Sequence, residues 1–519
     1  MRRDLRLGIT FLVTLPLAAI ALPWAAAAPP VVAVHAAKKG APGSMTFIDA
    51  DTLAVLGTAP VEGTPWPLGF DRSGASLLVF GGTRADPTST LQKSKGGFAI
   101  VDVRSFASAP VGASRRTPFF HVRDERSERL YVVEADPKAK TRSIEVFDIA
   151  RLGPPARVAA VERLTSVAVS PDGALLYALC EGKKHKRPKG PGGNLHVLDA
   201  RTGTEVARLD VGAGAASIAF DSIRGLAYVL GVVDVEGNGK VTVLRAGSVV
   251  GQLSLPGRAG ALAVGPDGVA YVLVAGSVVA LGPDGLTVSR AWRVGFTPSD
   301  LVFDAARERF FAGARSGSKI AELDLQTGSV VAVHETGSGA RKAGRGFGMA
   351  LATLTAFAAT FVTGVPVFPA GAWGSTATTM ALSSYGAFLD VLNPFTDDVS
   401  VYDTAKHDVV AIVPTGAGSR RFVRVPDDPN LWIEATGRLV RLDTATNRID
   451  RTVDLVEGIH RATIAWDLPR GRAWIVMGTS IRVLDLRSGE VVGTVDLPSP
   501  AFGIWIDPYR NAAAASSRP

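Results

Sequence analysis

Seven histidines and one cysteine are the side chains best suited to metal binding or nucleophilic chemistry, and their spacing favours neither. His35, His121, His185, His196, His334, His407 and His460 stand singly, with no HExxH pair or other short-range ligand spacing. His121 in "PFFHV" and His196 in "LHVLD" read as strand residues with satisfied rings. The lone cysteine, Cys180, excludes a disulfide framework and any paired-cysteine metal motif. It ends the apolar run "ALLYALC" and reads as a buried, inert thiol. "DVEGNGK" from Asp234 begins like a calcium loop, with Asp234, Glu236 and Asn238 alternating. Arg245, however, stands where the bidentate glutamate belongs. No G-x-S-x-G elbow and no phosphate loop occurs. The expectation is therefore no metal and no cofactor.

Charge carries the clearer chemical signal. "EGKKHKRPKGPGG" from Glu181 sets Lys183, Lys184, Lys186, Arg187 and Lys189 around His185, and its only acid is Glu181 itself. Such a run attracts anions, most strongly at low salt, or serves only as a solvated loop. The formal charge is +8, and the first residues hold Arg2, Arg3 and Arg6 against Asp4, so the chain beyond them remains at +6. That opening stretch has a basic leader, the apolar "LGITFLVTLPLAAIALPW" and the small-residue run "AAAAPP". It reads as an export signal over residues 1–28, cleaved near Ala25–Ala28, with an uncleaved membrane anchor as the alternative. A periplasmic or secreted location follows, and with it no expectation of nucleic acid as a partner.

The elements that hold these residues announce themselves by repetition. An apolar strand ending in Asp, a turn and a second strand recur in "MTFIDADTLAVLGTAPV" from Met45, "LHVLDARTGTEVARLDV" from Leu195 and "SIRVLDLRSGEVVGTVDL" from Ser480, among ten such pairs. Between them lies a second phrase, as in "LTSVAVSPDGALLYALC", with a Pro-Asp-Gly turn between two strands. Together they form a four-stranded antiparallel unit of roughly 40 to 50 residues, the period of a propeller blade. Hydrophobic residues at 47% and charged ones at 20% suit such a packed all-β interior.

The consensus "SPDGALLYAL…NLHVLDARTGTEVARLDVG" resembles the YVTN-type β-propeller repeat family, and "TTMALSSYGAFLDVLNPFTDDVSVYDTAKHDVVAIV" resembles it again. The resemblance spans nearly all of residues 29–513 and implies a β-propeller. It implies no single function, since binding, surface-layer and redox-associated members share the repeat. Ten units exceed the usual blade number of about four to eight, so either one large ring or two smaller ones is expected, the single ring preferred. "PPVVAVHAA" at the start and "AFGIWIDPYRN" at the end are each one strand short of a partner. Pairing them closes the circle. Residues 514–519 read as a disordered tail.

With strands lettered A to D from the channel outward, A–B and C–D turns share one face, and B–C and D–A connections the other. The C–D turns begin with Asp49, Asp102, Asp148, Asp199, Asp324, Asp403, Asp443 and Asp485, which read as turn caps. The opposite face gathers cations. Its B–C loops hold the run at Lys183–Lys189, Lys38, Lys39, Lys93, Lys95, Lys138, Lys140 and Arg142. Its D–A connections hold Arg115, Arg116, Arg163, Arg258, Arg420, Arg421 and Arg461, close to the channel mouth. An insertion at about 337–377 begins with Arg341, Lys342 and Arg345 and runs uncharged from Gly346 to Leu389. It reads as a lid or plug, as extra strands around "VTGVP", or as a peripheral membrane contact through residues 346–373.

Two functions are compatible with this pattern. The favoured one is a non-enzymatic exported binding or scaffold protein whose basic face engages an anionic glycan, a lipid headgroup or an acidic protein. The other is a propeller enzyme of the lactonase or quinoprotein-dehydrogenase kind, which needs acids, histidines or a metal converging at the channel. The identifiable mouth residues are instead arginine, small residues and Trp66, flanked by Pro65 and Pro67.

Overall fold

The protein is described by a computed structural model over residues 30–507, apart from 38–40, 83–95, 115–116, 125, 127, 136–140, 181–192, 213–216, 233–236, 266, 305–306, 315–318, 339–378, 384–386, 394–395, 417, 420, 426–427 and 456–463. Its strands form ten four-stranded antiparallel sheets, each a blade in the A–B–C–D order expected. Blade 1 takes strands B, C and D from Val31–His35, Gly43–Ile48 and Val55–Val61, and strand A from Gly503–Trp505. Blades 2 to 10 then follow in chain order over residues 64–114, 117–162, 164–212, 217–255, 259–293, 298–335, 379–414, 421–454 and 464–496.

One ring, not two, accounts for the core. Apolar side chains on both faces of each blade meet those of the next blade. Val122, Tyr131 and Ile144 of blade 3, for example, pack on Val167, Leu176 and Ala178 of blade 4. Comparable clusters fill every seam around the ring, including that between blade 10 and blade 1, where Trp474, Ile481 and Val483 meet Val31, Ala33 and Ile48. Burial of each such side chain contributes about 1.5–3 kcal/mol, repeated around the circle.

Closure is the expected strand exchange between the ends. Val32, Ala33 and Val34 pair with Trp505, Ile504 and Gly503, and the Phe502 amide donates to the Val34 carbonyl at 2.7 Å. His35 adds a buried latch. Its Nδ1 lies 3.1 Å from the Pro500 carbonyl, and its Nε2 lies 2.9 Å from Thr46 Oγ1. Beyond the last strand, Asp507 is fully buried and meets Arg123 of blade 3 at 3.4 Å. That arginine also donates to the Phe70 carbonyl of blade 2 at 2.7 Å.

The aspartates that open the C–D turns are caps. Asp49 Oδ1 accepts from the amides of Asp51 and Thr52 at 2.9 and 2.7 Å and from the Thr52 hydroxyl at 2.9 Å. Asp102 and Asp199 repeat the pattern with Ser105 and Thr202. These donors hold the carboxyls of Asp49, Asp102 and Asp199 below the usual range. Four residues after the aspartate the chain adopts positive φ, as at Gly203, Gly328 and Gly489. Leu53 and Phe106 take this strained position too, and their side chains justify it, Leu53 against Gly493 and Phe106 against the Phe47 ring.

The uncharged run from Gly346 is partly ordinary blade. Its final residues form strand A of blade 8 (Thr379–Leu382) and enter strand B (Phe388–Asn393). The remainder of the insertion, with Arg341, Lys342, Arg345 and residues 346–373, lies outside the described residues, as do residues 1–28 and 514–519. Among the described residues no helix is long and apolar enough to cross a membrane.

Candidate functional site

On the A–B/C–D face several arginines stitch blades together. Arg129 Nη1 donates to the Ala200 carbonyl at 2.7 Å, joining blades 3 and 4. Arg224 reaches the Gly268 carbonyl across blades 5 and 6, and Arg472 the Ala50 carbonyl across blades 10 and 1, each at 2.5 Å. Arg290 donates to the Leu325 carbonyl and Arg441 to that of Arg487. Several of this face's arginines are also held by a carboxylate three residues earlier. The pairs are Asp221–Arg224 and Asp304–Arg307 at 2.9 Å and Asp467–Arg470 at 3.1 Å. This D-x-x-R spacing at the end of strand A is visible in the sequence, and periodicity alone does not single it out.

The D–A face is built differently. Every strand A starts here, so the residues just before or at its start ring the channel mouth. Arg163 is the turn between strand D of blade 3 (Ala156–Glu162) and strand A of blade 4 (Leu164–Val169). Arg258 precedes strand A of blade 6 (Ala259–Val264) and is exposed. Neither guanidinium has a hydrogen-bond or ion-pair partner among the described residues. Arg163 also stands at φ 53°, where other D–A connections use glycine, as at Gly63, Gly212 and Gly257. A non-glycine residue held in that region costs about 1–2 kcal/mol; the Arg163 side chain is half-buried.

Not every predicted cation is free for a ligand. Arg421, the first residue of strand A in blade 9, is bonded by Nε to Glu434 at 2.8 Å and lies over the Trp466 ring of blade 10 at 5.9 Å. Arg142 donates to the Leu164 carbonyl of the next blade. Lys183, Lys184, Lys186, Arg187, Lys189, Arg116 and Arg461 lie outside the described residues, with Lys38, Lys39, Lys93, Lys95, Lys138, Lys140, Arg115 and Arg420. The strand ends flanking the longest cationic run, Cys180 and Gly193, both lie on the D–A face. Carboxylates share this face: Glu62 is exposed in the D–A connection before strand A of blade 2, and others stand at the outer rim. Asp210, Glu335, Asp454 and Asp496 are exposed near the ends of D strands.

Trp66 projects from strand A of blade 2 (Thr64–Phe70) with 46% of its surface exposed. Asp300 and His121 sit part-exposed on strands A of blades 7 (Pro298–Asp304) and 3 (Thr117–Asp124). Burial within the ring pushes the Asp300 carboxyl up to about 7 and the His121 imidazole down to about 4. At neutral pH His121 is therefore uncharged and Asp300 only partly ionised. Asp300 was not singled out in the sequence, because nothing in "FTPSDLVFD" distinguishes it from a turn aspartate. Cys180 is buried, its thiol pushed up to about 12 by desolvation, too high for a thiolate nucleophile. Among the described residues no group of three His, Cys, Asp or Glu side chains is placed to hold a metal ion.

No family model matches the chain, and no curated protein matches it. Similar solved structures include dihydro-heme d1 dehydrogenase NirN in complex with DHE, 16% identical over 76% of each chain with a TM-score of 0.44. Apo AztD from Citrobacter koseri is 11% identical, covering 75% of this chain and 96% of its own, with a TM-score of 0.35. At these values the likenesses carry no argument about site or activity. The ten-bladed ring rests on its own strand pairing, and the YVTN-type likeness stays one of repeat sequence.

Proposed function

We propose that this protein is an exported, non-enzymatic β-propeller that binds an anionic partner at the D–A face of the ring. The observation that supports it is the pair of arginines without a partner beside the channel. Arg129 and Arg472 on the A–B/C–D face bond to neighbouring blades, whereas Arg163 and Arg258 at the channel mouth have no side-chain partner among the described residues. Arg163 stands in a backbone conformation that glycine would occupy more cheaply. A strained position occupied by arginine supports a side chain retained for contact with a ligand. The cationic loop at 183–189 begins and ends on the same face and adds to the same field.

Residues 29–519 contain every described strand of the ring, so this form suits a binding assay. It would be titrated with anionic and neutral glycans and liposomes at two salt concentrations. A variant with Lys183, Lys184, Lys186, Arg187 and Lys189 replaced by serine would run beside it. Salt-sensitive binding of anionic material that weakens in the variant is the expected result. Binding unchanged by the variant and insensitive to salt would sink the proposal.

A further inference from the structure

Asp390, in strand B of blade 8, is fully buried, and neither of its carboxyl oxygens has a hydrogen-bond partner among the described residues. Alternation along the strand fixes its direction. Phe388 and Leu392, two residues to either side, pack with Val401 against Leu431 and Ile433 of blade 9. The carboxyl therefore points into the seam between blades 8 and 9, an apolar place that an ionised group enters only with a partner. Arg424 ends strand A of blade 9 (Arg421–Arg424), faces the same seam and is half-buried. Its guanidinium does not bond the Asp390 carboxyl. It donates instead to the carbonyl of Leu382, the last residue of strand A in blade 8. Asp390 pairs across the sheet with Ala381, the residue before Leu382. The cation is thus anchored one residue along strand A from the register partner of a carboxyl that lacks a donor.

The two groups act on each other. Burial pushes the Asp390 carboxyl up to about 7, and Arg424 is the cation that opposes this. Desolvation lowers Arg424 in turn, opposed by Asp390. Other charged side chains near this seam are engaged elsewhere. Asp403, on strand C of blade 8 (Asp398–Asp403), caps its own turn and holds Lys406 at 3.0 Å. Glu434, on strand B of blade 9 (Leu431–Ala435), bonds Arg421, which lies over Trp466 on the far side of that blade. Arg438, on strand C of blade 9 (Arg438–Asp443), lies against Gly416 at the D–A end. Strand A of blade 8 (Thr379–Leu382) carries no charge.

We propose that Asp390 and Arg424 form a proton-controlled clasp on the channel-lining strand of blade 8. With the carboxyl protonated, Arg424 holds the Leu382 carbonyl, as in the structure. When the proton leaves to solvent, the carboxylate takes the guanidinium as its counter-ion and the Leu382 carbonyl loses its donor. Strand A is a sheet edge with only strand B beside it, so this loss loosens the channel wall just where the insertion at about 337–377 ends. An opened carboxyl ionises near 3.8. The closed seam therefore binds the extra proton and loses stability as pH rises from about 4 through about 7. The clasp is independent of the anion-binding reading.

The test measures deuterium uptake at residues 379–383 in the form spanning 29–519, at about pH 6 and about pH 8.5, with labelling times scaled for the chemical exchange rate. Uptake in the unaltered protein is expected to be severalfold faster at the higher pH. Asp390→Asn keeps the size and neutrality of the protonated acid and should stay protected at both. Arg424→Met should exchange quickly at both. Infrared absorption of protonated carboxyls, compared between the unaltered protein and Asp390→Asn, reads the proton itself, since Asp300 is common to both. A difference present at the lower pH and gone at the higher is expected. Equal protection of the unaltered protein at the two pH values, or a pH effect that survives in Asp390→Asn, would overturn the clasp. So would identical carboxyl absorption of the two proteins at the lower pH, which would mean that Asp390 is already ionised.

Discussion

His35 and His121 are held neutral by burial, which gives the ring a pH response with a definite sign. An unfolded histidine takes up its proton near 6.5, whereas His121 in the fold does so at about 4 and His35 below its ordinary value. Below 6.5 the unfolded chain therefore binds more protons, and stability falls as pH drops toward the folded values. We expect the urea midpoint to decline between pH 7 and 4.5, less steeply in His35→Asn and His121→Gln. Asp300 acts in the other direction. Its raised carboxyl favours the protonated form, so the stability it contributes is lost as pH rises from about 4 through about 7. Asp300→Asn should be more stable than the unaltered protein at pH 8 and close to it at pH 4, as read by thermal unfolding. His121 and Cys180 were legible in the sequence as strand residues, since both lie in apolar runs. Asp300 was not, because its environment comes from distant blades.

At the scale of the element, alternation and turn chemistry made the blades readable. An Asp at the end of strand C followed by polar residues specifies its turn locally, and its cap bonds stay within five residues. The interblade arginines were not readable in this way. Arg129, Arg224 and Arg472 look like solvated turn residues, and only the ring brings a neighbouring carbonyl to each. Arg472→Ala, tested by chemical denaturation, should cost about 1–2 kcal/mol by leaving the Ala50 carbonyl without its charged donor. An unchanged midpoint would show that this bond adds nothing to the seam.

The whole molecule closes through one short strand pairing of three residue pairs, the His35 latch and buried Asp507. Ending the chain at Pro500 would remove strand A of blade 1 and uncover the seams with blades 10 and 2. We expect that shortened chain to lose cooperative unfolding or to aggregate, as seen by calorimetry and light scattering. Ring closure was legible because each end offered an unpaired strand. Which arginines bond across a seam was not, since one arginine looks like another until its partners are known.

Arg163→Gly tests the channel-mouth proposal most directly. Glycine relieves the positive φ and should raise stability by about 0.5–1 kcal/mol. If Arg163 is kept for a ligand, the same change should weaken binding of an anionic oligosaccharide severalfold, most clearly at low salt. Affinity equal to that of the unaltered protein at both salt concentrations would contradict the assignment of the channel mouth as the binding site.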